Sequence, residues 1–169
     1  AEDGIRDSSV TGSSDVCSSD LRLKDFWQAG PCTYLGLQIP GFPNLFTITG
    51  PGSPSVLCNL PPQIEQHVNW ITDCLAHLKQ HRYTCMEAQP AASEDWGRQV
   101  NEAAEATLMS KVPHSWYLGA NVPGKPKVFM PYAGGLPRYR DICAEVAAQG
   151  YQGFDLRDRK STRLNSSHT

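Results

Sequence analysis

The run GPGSPSVLCNLPP, residues 50–62, brings glycines, prolines and small polar side chains to the start of a helical pattern. The first amides of a helix lack intrahelical partners, and the helix dipole adds partial positive charge there. A carboxylate, a phosphate or a polarised carbonyl is favoured at such an end, and the glycines let it approach the backbone closely. The run lacks the GxGxxG of a complete dinucleotide fingerprint, so plain connection between two elements is the competing reading. Ser53 and Ser55 stand in it, but GPGSPS is not the GxSxG turn that exposes a nucleophile, and no His/Asp partnership accompanies them. Cys74, His77 and His81 have the spacing of metal ligands on one helix. With no fourth ligand and no HExxH, the two histidines read as solvated. Glu65, Glu94, Asp95 and Asp141 suit helix surfaces and starts, and nothing pairs them for acid–base work. Trp116 stands in a Gly/Pro-rich loop, either anchoring that loop to the core or offering its indole N–H to a ligand.

These residues need elements to hold them. Asn44–Thr49 (NLFTIT) reads as a short buried strand closed by the turn Gly50-Pro51-Gly52. From Pro62 to about Arg82 the apolar residues Ile64, Val68, Ile71, Leu75 and Leu78 recur at helical spacing, with Asn59 as N-cap and prolines 61 and 62 in the first turn. The elbow is therefore strand, glycine-rich loop, helix. A second helix is expected from Ser93, its cap, to Leu108, with Trp96, Val100, Ala104 and Leu108 on one face. A long loop, Pro113–Lys127, leads to a short strand at Val128–Met130. A last helix starts near Pro137, buries Tyr139, Ile142, Cys143, Val146 and Ala147, and ends at Gly150. The class is α/β, but two short strands do not make an independent sheet.

The chain has 169 residues, 40% hydrophobic and 19% charged, with a net charge of −2. That balance leaves no electrostatic footprint for nucleic acid or an anionic membrane, and no run has the length of a membrane span. Six cysteines without a CxxC pair read as reduced thiols in a cytoplasmic protein. Residues 1–21 and the tail 158–169 are rich in small polar residues and are expected to be disordered. Both ends also resemble translated sequencing-adapter read-through (GSSDVCSSDL, RKSTRLNSSH). On that reading 22–157 is the genuine protein, and its true start and stop lie outside this sequence.

Three stretches carry a family resemblance: YLGLQIPGFPNLFTITGPGSPSVLCNLPPQIEQHVNWI, SWYLGANVPGKPKVFMPYAGG and YRDICAEVAAQGYQGF. In that order they resemble the C-terminal part of type I Baeyer–Villiger monooxygenases, the cyclohexanone and phenylacetone monooxygenase group, across essentially all of 22–157. The resemblance implies FAD and NADPH as cofactors and insertion of one oxygen of O2 beside a ketone carbonyl, giving an ester or lactone. It implies the returning segment of a Rossmann-like FAD-binding domain, whose helix points its N-terminus at the flavin ring. Family motifs that hold FAD and NADPH, and the catalytic arginine, belong upstream of this segment. The chain alone is thus expected to be inactive and to need the N-terminal FAD and NADP domains as partners. By position, Asn59 and Leu60 match the backbone contact with FAD. Ser55, Val56 and Leu57 match the loop that shapes the substrate pocket. Trp116 matches the tryptophan that reaches NADP(H). The loop combines a phenylacetone-type GPGSPS with a cyclohexanone-type NLPP, so the resemblance does not choose a ketone class. A free-standing binding module, or a folded remnant without function, is the alternative.

Overall fold

Residues 21–107 and 128–158 are described by the structure, a computed structural model. Along them run the helices α1 (Leu23–Phe26), α2 (Leu60–Gln80), α3 (Pro90–Glu105) and α4 (Leu136–Ala148), and the strands β1 (Cys85–Ala88) and β2 (Phe154–Arg157). The strands pair antiparallel, with Met86 opposite Leu156 and Ala88 opposite Phe154. The architecture is mixed: helices gathered around one small sheet.

The long helices α2, α3 and α4 form close to where the periodicity places them, but one of them is turned. α2 buries Gln63, His67, Trp70, Cys74 and Leu78. The expected stripe is rotated outward by one residue, leaving Ile64, Val68 and Leu75 exposed. Tryptophan decides the rotation. Trp70 donates its indole N–H to the Cys143 carbonyl of α4 at 2.9 Å and meets the Tyr151 ring edge-on at 5.2 Å. No rotation that buried Val68 would keep that bond. α3 starts earlier than expected, at Pro90 with Gln89 as N-cap. Ser93 is not its cap; it is buried, and its N–H closes the first turn on the Gln89 carbonyl at 3.0 Å. Trp96, Val100 and Ala104 face inward, as expected; Leu108 lies outside the described residues. On α4, Tyr139, Cys143 and Val146 are buried, and Gly150 follows its end at φ +72°.

Both expected strands are absent, and two others exist. Asn44 and Thr49 bracket the NLFTIT run in the left-handed region, at φ +60° and +54°, which breaks a strand at each end. Only Phe46 makes a bridge, to Gln38. Asn44 does a strand's work in one residue. Its N–H donates to the Met86 carbonyl, its Oδ1 accepts from the Met86 N–H (both 2.9 Å), and its Nδ2 donates to the Thr84 carbonyl. Val128–Met130 likewise has no regular strand structure, although the Gly52 N–H donates to the Met130 carbonyl.

The core gathers Leu35, Leu37, Trp70, Met86, Trp96, Tyr139, Cys143 and Phe154. Its most buried stretch is irregular: Leu35, Leu37, Gln38 and Ile39 are all fully covered. Irregular backbone is tolerable there because turns and bridges satisfy it, with Tyr34 N–H on the Gln38 carbonyl and Thr47 N–H on the Leu37 carbonyl, each at 2.8 Å. Among the described residues, no helix is long and apolar enough to cross a membrane.

Candidate functional site

The elbow between Thr49 and Leu60 is held from three sides. From α3, the Trp96 indole donates to the Gly52 carbonyl at 3.1 Å. The Thr33 hydroxyl donates to the Pro51 carbonyl at 2.6 Å, and the Tyr132 N–H to the Ser53 carbonyl at 2.8 Å. Ser53, fully buried, folds its hydroxyl back to the Gly50 carbonyl at 2.7 Å. The third support is a relay through α2. Thr49 N–H donates to His67 Nδ1 at 3.0 Å, His67 Nε2 meets the Tyr139 hydroxyl at 2.9 Å, and that hydroxyl donates to the Leu35 carbonyl at 2.5 Å. The relay closes only if Nδ1 is bare and Nε2 carries the proton, so His67 is neutral. Burial agrees, lowering its pKa to about 4.

Gly36 lets the elbow approach the core. It sits at φ +67°, and a Cβ there would lie 2.7 Å from the Ser53 nitrogen and 2.8 Å from its Cβ. Gly36→Ala should cost about 2–4 kcal/mol, combining backbone strain with a clash against backbone. Gly150, at φ +72° with nothing within 4 Å, isolates the strain alone; Gly150→Ala should cost about 1 kcal/mol. Urea denaturation of the two variants checks this, and equal losses would show that the Gly36–Ser53 approach does not matter.

Downstream, Ser55–Leu57 form a single 3-10 turn, with Ser55 at φ +47°. Ser55 and Leu57 are half-buried; the Val56 side chain lies outside the described residues, as does Trp116. Asn59 takes the N-cap position of α2 in extended backbone, but its side chain makes no capping bond. The start of α2 is unusual in what it leaves free. Of the four N–H groups that open a helix without intrahelical partners, two are deleted by Pro61 and Pro62. The two left belong to Asn59 and Leu60, and neither has a partner among the described residues. One turn in, Gln63 is fully buried; its Oε1 accepts from the Cys58 thiol at 3.1 Å, and its Nε2 has no partner. An orphaned buried donor costs about 1–3 kcal/mol. The two free amides, at the positive end of a 21-residue helix, suit an acceptor edge: a carbonyl or a delocalised anion.

No family model matches the chain. Over 141 residues it is 38% identical to the cyclohexanone 1,2-monooxygenase of Acinetobacter sp, covering 83% of this chain and 25% of that enzyme. Over 144 residues it is 37% identical to a Baeyer–Villiger monooxygenase of Pseudooceanicola batsensis, covering 85% and 26%. The chain spans about a quarter of the length of these relatives. The solved complex of OTEMO with FAD and NADP superposes with a TM-score of 0.73 at 34% identity, over 80% of this chain and 25% of that one.

Other features of the chain do not join the elbow's chemistry. A cavity of about 420 Å³ lies against Pro51 and Gly52, bordered by Cys32, Ser93, Trp96 and Phe129. It touches neither Ser55–Leu57 nor the start of α2. Cys74 is wholly buried, its thiol pushed up to about 12 by burial, so it is core rather than ligand. His77 and His81 stack on each other at 4.1 Å. Among the described residues, no three His, Cys, Asp or Glu side chains are grouped to hold a metal. Gln63, His67 and Trp96 are parts of the site that the sequence patterns did not single out as such. For the first two the available signal was their spacing with Trp70 and Cys74, residues 63, 67, 70 and 74, which marks a buried face as well as the aliphatic row does.

Proposed function

We propose that this chain is the flavin-facing, C-terminal segment of an FAD- and NADPH-dependent monooxygenase, the returning part of a Rossmann-like FAD-binding domain. The whole enzyme would insert one oxygen of O2 beside a ketone carbonyl. The observation that carries the reading is the start of α2, where Pro61 and Pro62 leave the Asn59 and Leu60 amides as first-turn donors without a partner among the described residues. Bound FAD would supply the oxygen-activating redox chemistry. This chain's own residues would bind and orient it. The two amides would donate to the acceptor edge of the ring, and the α2 dipole would favour negative charge there. Ser55, Val56 and Leu57 would border the ketone, and Trp116 would reach NADP(H). Cys32, Cys58, Cys74, Cys85 and Cys143 are free thiols, which suits a reducing, cytoplasmic setting.

A graft tests the proposal. Residues 22–157 replace the matching segment of the Acinetobacter cyclohexanone 1,2-monooxygenase, and FAD retention through desalting is measured for the graft and for the chain alone. The graft should retain FAD and oxidise NADPH on addition of ketone. The chain alone should retain none, because a ring edge offers too few contacts for affinity. In the graft, Ser55→Phe should change ketone preference more than ketone-free NADPH oxidation. Trp116→Phe should weaken NADPH use about three- to tenfold, the worth of one neutral hydrogen bond. A folded graft without FAD overturns the reading, and FAD held by the chain alone favours a free-standing module instead.

A further inference from the structure

The end of α2 far from the elbow carries an imidazole pair. His77 and His81 stand four residues apart, so they share one face of the helix. Their ring centroids are 4.1 Å apart, with the planes tilted by 32°. A tyrosine flanks each ring: Tyr151 meets His77 at 4.9 Å, and Tyr83 stacks on His81 at 6.0 Å. Tyr151 is itself buried and held edge-on by Trp70, so one wall of the pair belongs to the core. His77 is half-buried and His81 exposed, which leaves the pair within reach of a solute.

Hydrogen bonding fixes which nitrogens are available. His81 Nδ1 lies 2.9 Å from the His77 carbonyl. A carbonyl only accepts, so Nδ1 carries the proton, and in the neutral ring Nε2 keeps a bare lone pair. A ring N–H donated to a backbone carbonyl is the arrangement that orients a metal-ligating histidine and raises its basicity. No described residue hydrogen-bonds either ring nitrogen of His77. The last carbonyls of α2 add partial negative charge at this end, which favours a cation. Lys79 and Arg82 are close in sequence, but both are exposed and can extend their charges into water.

We propose that His77 and His81 chelate one divalent transition-metal ion of the copper or nickel kind, with water completing its coordination. Imidazole nitrogens bind such ions at about 2 Å. Two rings held at that distance have centroids about 4.5 Å apart when the angle at the ion is near 90°, and about 5 Å apart at a tetrahedral angle. The observed 4.1 Å suits the tetragonal geometry of copper(II) or nickel(II) better than tetrahedral zinc. Among the described residues no third His, Cys, Asp or Glu joins the pair, so the site is an open, exchangeable chelate rather than a closed cage. The ion would tie the last turn of α2 to its cap residue. This end lies about 26 Å along the helix from Leu60, and the chelate stands whether or not the monooxygenase reading does.

Nickel(II) is titrated into the full chain at pH 7.5 and followed by calorimetry; it is chosen because copper(II) oxidises thiols, and the chain has six cysteines. His77→Phe keeps a ring against Tyr151, and His81→Gln keeps a donor for the His77 carbonyl. Each should weaken nickel binding by roughly tenfold or more, since a chelate becomes a single ligand. Proton NMR of the parent chain locates the ion without any variant. Paramagnetic nickel should broaden the ring protons of His77, His81, Tyr151 and Tyr83, and should leave those of His67, about 15 Å up the helix, largely sharp. If either variant fails to fold, the NMR result decides. Undiminished nickel affinity in a folded variant, broadening centred on other residues, or no binding at millimolar nickel overturns the site.

Discussion

Trp96→Ala should lower stability by about 3–5 kcal/mol, the range for emptying a buried tryptophan site. Trp96 is 1% exposed and stacks on Tyr132 at 5.0 Å, with Tyr139 beyond at 6.1 Å. Alanine would leave a void among those rings and would also strip the Gly52 carbonyl of its indole donor. The two contributions can be separated. Trp96→Phe keeps most of the apolar body and removes only the donor, so it should cost about 1–3 kcal/mol, the penalty of a buried acceptor left unpaired. Urea denaturation followed by far-ultraviolet circular dichroism measures both. If the alanine and phenylalanine variants lose the same small amount, the tryptophan does not pin the elbow and the cavity beside it already accommodates the change. In the grafted enzyme the phenylalanine variant has a second use. Loosening Gly52 should weaken FAD retention, although Trp96 touches no residue placed at the ring edge.

The three long helices, α2, α3 and α4, were legible because each depends on a local pattern repeated over many residues; the four-residue α1 was not. On α4, Tyr139, Cys143 and Val146 turned inward where the spacing put them, and Gly150 took the left-handed position that ends the helix. The rotation of α2 was not legible from aliphatic spacing. Its inner face carries Gln63, whose Nε2 is left unpaired, and His67, whose burial is tolerable because Thr49 and Tyr139 satisfy both ring nitrogens. Its outer face carries the aliphatic residues Ile64, Val68 and Leu75, so aliphatic spacing alone does not mark the buried side of this helix.

The strands failed for a different reason. NLFTIT has the composition of a strand, but a strand also needs an uninterrupted extended backbone, and Asn44 and Thr49 break it at both ends. The real strands, CMEA and FDLR, are four residues each and lack an alternation strong enough to find. Their pairing joins residues about seventy positions apart, such as Cys85 with Arg157, and no local pattern encodes that. The elbow itself was legible as glycine and proline chemistry. The sequence already puts Pro61 and Pro62 in the first turn; what the structure adds is that no described residue pairs with the Asn59 and Leu60 amides.

Acid should destabilise the protein through His67, and the sign follows from its relay. The unfolded-state pKa is near 6.5 and the folded value is lowered to about 4 by burial. Between these values the unfolded chain binds a proton that the folded chain refuses, so stability rises with pH across that window. The contribution is intact above about pH 6.5, declines as the pH falls, and is fully lost below about pH 4. The loss amounts to about 3 kcal/mol, or a melting temperature lower by roughly 6–12 °C at pH 4 than at pH 7 from this group alone. The structural reason is that a proton on Nδ1 would face the Thr49 N–H, turning an acceptor into a second donor and breaking the tie between the elbow and α2. Exposed carboxylates and His77 also respond to acid, so the comparison is made against His67→Gln. Glutamine can accept from Thr49 and donate toward Tyr139 without titrating. Subtracting its melting profile from the parent's should leave a single step between pH 6.5 and 4. A difference that stays flat through that window would mean that His67 is already solvated or charged in the folded protein, and the relay from Thr49 to Leu35 would then not exist as described.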